Sequence, residues 1–124
     1  MQNLNSKFKT DLKQRTFNLS LEVIDLMNLL PQKRAGWVIG DQLLRSSTSI
    51  GANIVEAKAS SSRLEFKKFY EIALKSANES IYWLRLLKES KMVAEAKIDK
   101  LISETDEISR MIASSVMSLK KTKF

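Results

Sequence analysis

Apolar residues recur at helical spacing in four stretches of this chain, and short polar breaks separate them. In the first stretch Leu12, Leu19, Val23, Leu26, Met27 and Leu30 share one face. They predict a helix from about Asp11 to Leu30, ended by Pro31, which disfavours helical geometry in the residue before it. A second helix is predicted from Arg34–Trp37 to about Ala59, ahead of the triple serine Ser60, Ser61 and Ser62. The third opens at Ser62, because Ser62-Arg63-Leu64-Glu65 fits a capping box, and it runs to about Ser90. Its core stripe is Phe66, Phe69, Tyr70, Ala73, Ala77, Leu84 and Leu87. In the fourth, about Ala94 to Leu119, Ile98, Leu101, Ile102, Ile108, Ile112, Val116 and Leu119 trace one stripe. Short connections favour antiparallel neighbours, so the expected fold is all-α, an antiparallel up-down-up-down four-helix bundle in a single domain spanning residues 1–124.

Two helices carry more apolar surface than a bundle interior requires. The segment Ser46 to Val55, SSTSIGANIV, has no charged residue in a chain that is 28% charged. Apolar side chains spread over most of that helix, Trp37 and Val55 included, and the third helix adds a separate line of Ile72, Trp83 and Leu86. A helix packed only inside a monomer needs an apolar stripe of roughly 100°. The excess predicts self-association, with Trp37 and Trp83 at subunit contacts; the alternative makes both tryptophans ordinary core residues. Gly51 inside the second helix costs roughly 1 kcal/mol against alanine and points to a bend or a close helix contact.

Arg45, Ser49, Asn53 and Glu56 form a narrow polar line on the second helix. A solvated stripe here should be rich in Lys and Glu, as the fourth helix is. The favoured reading is therefore a buried hydrogen-bonded network that sets helix register or assembly, with Glu79 as partner to Arg45, since a buried charge without a partner is costly. A solvated face and a small-molecule site are the other two readings.

Composition narrows the chemistry. The chain has neither cysteine nor histidine, which excludes disulfides, thiol nucleophiles, imidazole bases and the usual zinc sites. There is no catalytic carboxylate pair and no phosphate-cradling glycine loop, and Lys75-Ser76 is too weak a combination for a Ser-Lys site. The sequence thus predicts no enzyme, no catalytic residue, no metal and no cofactor. The polar N-terminus and the lack of a long apolar run predict a cytoplasmic protein without membrane contact. The net charge of +7 sits at the ends: Lys7, Lys9, Lys13 and Arg15 outweigh Asp11, and Lys120, Lys121 and Lys123 close the chain. In the expected topology both termini share one pole with Lys58, Arg63, Lys67 and Lys68. Those seven terminal cations are the candidates for nucleic-acid phosphate contacts, the alternative being solvated tails that confer solubility.

The stretches LKQRTFNLSLEVIDLMNLLP, WVIGDQLLRSSTSIGANIVEA and EFKKFYEIALKSANESIYWLRLL resemble successive blocks of a family of four-helix-bundle proteins. That family was first named for reading frames in the intervening sequences of bacterial 23S rRNA genes. The resemblance runs from about Leu12 to Val93 and is most specific in Gln42, Leu43, Arg45, Ser46, Ser49, Ile50, Asn53 and Glu56. Gly51 and Ala57 stand where many members carry Pro and Gly. The resemblance implies a bacterial cytoplasmic protein assembled as a ring, commonly a homopentamer. A related branch serves diversity-generating retroelements, working with a reverse transcriptase and its RNA. The combined expectation is a non-enzymatic oligomeric bundle that binds RNA or DNA, or a nucleic-acid enzyme such as a reverse transcriptase, through a basic pole. The alternative is an interaction module whose ring docks a protein partner without nucleic acid.

Overall fold

The computed structural model describes residues 4–121, with side chains from 12 to 120, and contains four helices and, among those residues, no strand. They are α1 (Leu4–Met27), α2 (Arg34–Ala59), α3 (Arg63–Glu89) and α4 (Glu95–Lys121). Each packs on its neighbours in chain order, and α1 also meets α4. The α2–α3 seam is the most extensive and the α1–α4 seam the sparsest.

The first helix begins earlier than its apolar pattern predicts and ends three residues sooner. Its polar N-terminal stretch holds no proline or glycine to stop the helix. At the other end Asn28 and Leu29 donate to the carbonyls three residues back, a tightened turn that lets the chain reach Pro31. At the start of α3 the Ser62 hydroxyl accepts from the Glu65 backbone N–H at 3.1 Å, the serine half of the expected capping box. This helix ends in a motif that its sequence does not advertise. Lys91 has φ 59°, its N–H bonds Lys88 O at 3.0 Å, and the Met92 N–H reaches back to Leu87 O at 3.2 Å. That pair of bonds is a Schellman cap with a lysine where glycine is the usual residue, and Met92 folds onto the core beside it.

The predicted stripes meet in one core. Leu19, Val23, Leu43, Ile50, Leu84 and Ile108 are among its fully buried members. Several hydroxyls are buried with them, and most bond the carbonyl three or four residues earlier in their own helix. Ser46 donates to Leu43 O at 3.2 Å, Ser80 to Ser76 O at 2.8 Å, Thr105 to Leu101 O at 2.7 Å and Thr16 to Lys13 O at 3.0 Å. Among the described residues no buried side-chain polar atom lacks a partner. Gly51 proves to be a close contact: a Cβ there would lie 3.3 Å from Thr16 Oγ1.

Cross-helix contacts define the levels at which side chains meet. Ser46 faces Ser80 and Ser49 faces Ser76; Gly51 lies by Thr16 and Gly40 by Met27; Lys88 pairs with Asp99 and Ser109 with Asn78.

Candidate functional site

The polar line of α2 lies along the edge it shares with α3. Ser76 Oγ donates to Ser49 Oγ at 2.9 Å, and Asn53 Nδ2 donates to Ser49 O at 2.8 Å and Ser49 Oγ at 3.0 Å. One turn further, Arg45 bonds Gln42 Oε1 and pairs with Glu79, whose carboxylate also accepts from Trp83 Nε1 at 2.8 Å. The expected Arg45–Glu79 partnership forms, but not in a buried network. The Arg45 side chain is 57% exposed and that of Glu79 36%, Ser49 and Asn53 are half-buried, and Glu56 is exposed. Helical periodicity explains the difference, because these positions fall at the flank of α2 rather than on the side that faces the core. The buried polar contact of this seam is Ser46 with Ser80, 2.8 Å apart, which the sequence reading did not single out. Matched serines on the inner faces of two adjacent helices were the available signal.

The second apolar lines are only partly covered, with Trp83 packed against the core. Trp37 is 57% exposed and Phe17 61%, with Val38, Val55 and Ile72 also exposed and Trp83 half-buried. Trp37 is therefore not a core residue. Phe17, Ala52 and Val55 line an open cleft between α1 and α2, with Lys13 at its rim.

The terminal cations separate into two groups. Arg15 is held inside the fold: its Nε and one terminal nitrogen bond the two Glu104 oxygens, each at 2.9 Å, and the other terminal nitrogen bonds Glu107 at 3.0 Å. Hydrogen bonding to Glu104 and Glu107 raises the guanidinium pKa above its ordinary value. The same bond holds the Glu107 carboxyl below the usual carboxylate range. Arg15 is thus a structural clamp between α1 and α4, which corrects its reading as a tail residue open to phosphate. The signal was present in the sequence, since Glu104 and Glu107 are three apart on one helical face. Lys13 and Lys120 are exposed; Lys7 and Lys9 belong to α1 and Lys121 ends α4, their side chains outside the described residues, as is Lys123 altogether. Continuing the helix levels brings Lys58 of α2, Lys67 of α3 and Lys120 of α4 to one end of the molecule.

Among the described residues there is no group of three or more potential metal ligands, and no helix is long and apolar enough to cross a membrane. The structure is an all-α four-helix protein with exposed apolar residues on α1, α2 and α3 and a lysine-rich end. The family of 23S rRNA-intervening sequence proteins matches residues 9–114, and the chain belongs to that family. A crystal structure of a protein with unknown function from the S23 ribosomal protein family of Bacteroides thetaiotaomicron VPI-5482 is similar throughout. The two share 32% identity with a TM-score of 0.83, over 89% of this chain and 98% of that one. No curated protein matches the chain.

Proposed function

We propose that this protein is a non-enzymatic assembly unit of the bacterial cytoplasm. In this reading the subunit is an antiparallel up-down-up-down bundle that forms a ring, a homopentamer as the resemblance implies. The ring binds RNA or DNA, or a nucleic-acid enzyme such as a reverse transcriptase, through its basic pole. The cross-helix levels support the antiparallel arrangement, and the exposed α2 band supports self-association. The observation that carries nucleic-acid binding is the convergence of Lys58, Lys67 and Lys120 at the end where α1 begins with Lys7 and Lys9 and α4 finishes with Lys121. Repeating that end in several copies turns one weak cationic patch into a multivalent one.

Fluorescence anisotropy with labelled single-stranded RNA and duplex DNA across a salt series tests this. Binding should weaken with a log–log slope of about −0.7 to −0.9 per neutralised phosphate. Changing Lys7, Lys9, Lys120, Lys121 and Lys123 to Gln should abolish it while the assembly mass stays the same. Arg15 is omitted from that set because it is committed to Glu104 and Glu107. A wild-type protein that binds neither nucleic acid at low salt rejects the reading and favours a ring that docks a protein partner alone.

A further inference from the structure

Several exposed apolar residues of α1, α2 and α3 fall on two adjacent faces of the bundle. On the α1–α2 face lie Phe17 and Ile24, with Lys13 at the rim of the cleft that Val55 also lines. On the α2–α3 face lie Ile72, Trp83 and the polar line that ends in Glu56. Levels along α2 allow the two faces to be compared. Lys13, beside Val55, stands one residue from Glu56, and both are exposed. Phe17, next to the Thr16–Gly51 contact, stands within about 5 Å along the axis of Ile72, which is one turn beyond the Ser76–Ser49 contact. Ile24, between the Gly51 and Gly40 levels, matches Trp83, which is one turn beyond the Ser80–Ser46 contact. The match holds at three heights with an axial offset of no more than about 5 Å: cation opposite anion, aromatic opposite aliphatic, aliphatic opposite aromatic.

We infer that these two unlike faces are the two halves of the subunit contact, the α1–α2 face of one copy seating on the α2–α3 face of the next. Ile24 then packs on the partner's Trp83, Phe17 on the partner's Ile72, and Lys13 pairs with the partner's Glu56. This rests on the oligomeric reading above and specifies its interface. Adjacent faces of a four-helix bundle lie at about a right angle, so a head-to-tail contact between them turns each copy by roughly 70–90° and closes after about four or five copies. Because the axial offset is so small, the relation is close to a pure rotation. It makes a ring with every lysine-rich end on the same side, not a filament. The polar line also acquires a role: Arg45, Ser49 and Asn53 sit between the Glu56 and Trp83 contacts, where they fix how the next subunit seats.

Charge exchange tests the pairing in the full chain, read by light scattering and native mass spectrometry over a dilution series. Lys13→Glu and Glu56→Lys should each raise the dissociation constant of the assembly by about tenfold or more, since each sets like charges opposite one another. The double variant K13E/E56K should recover most of the loss. The chain has no cysteine, so F17C/I72C supplies the only thiols, and mild oxidation should link copies into a ladder that ends at the ring number. A monomeric wild type removes the oligomeric reading itself. An oligomeric wild type whose mass ignores both charge variants, or whose paired cysteines do not cross-link between copies, retains that reading and overturns this interface.

Discussion

Arg15 joins α1 to α4 across the sparsest seam of the bundle through three charge-assisted hydrogen bonds, and one terminal nitrogen also donates to Met111 Sδ at 3.3 Å. Arg15→Met keeps the stem and removes the clamp; solvent screening at partly exposed Glu104 and mostly exposed Glu107 keeps the loss to about 1–2 kcal/mol, read by urea unfolding. The sign with pH follows from Glu107, whose carboxyl is held low in the folded protein. The clamp contributes fully above the unfolded carboxylate pKa and is lost as pH falls through the depressed one, so wild type and R15M should converge in acid. Lys91 makes the opposite case. A lysine in the left-handed region costs about 1 kcal/mol against glycine, so Lys91→Gly should stabilise the protein by about that amount in the same measurement.

The three glycines of α2 look alike in sequence and differ in what they pack against. At Gly36 a Cβ would lie 2.8 Å from the Pro31 carbonyl oxygen, a backbone atom fixed by the turn. At Gly51 the neighbour is a threonine side chain at 3.3 Å. Gly36→Ala should therefore cost about 1–3 kcal/mol in thermal unfolding, while Gly51→Ala, which gains helix propensity, should stay within about 1 kcal/mol of wild type. The four helices and the core stripes were legible because periodicity, one proline and one serine cap report directly on local geometry. The Schellman cap at Lys91 was not legible, because its usual glycine is replaced. The α1 start was missed for a related reason: a polar first turn leaves no apolar period to follow. Ser46 and Ser80 escaped because a hydroxyl that bonds its own helix behaves in packing like a small apolar group.

At the scale of the whole molecule, the apolar excess on α2 was legible and its exposure follows from it; Trp37 could not be assigned to core or surface by pattern alone. Charge was legible only as a total at each end. Which cations stay open to solvent depends on where α4 places Glu104 and Glu107, and that is a tertiary fact. The buried hydroxyls carry a further consequence for how the chain folds. Thr16, Ser46, Ser80 and Thr105 find their acceptors within their own helices, so those bonds form as each helix forms and need no partner helix. Collapse can then proceed through apolar contacts between preformed segments. The Ser46–Ser80 contact, by contrast, needs α2 and α3 already docked, and the contacts between helices adjacent in sequence suit a fast route.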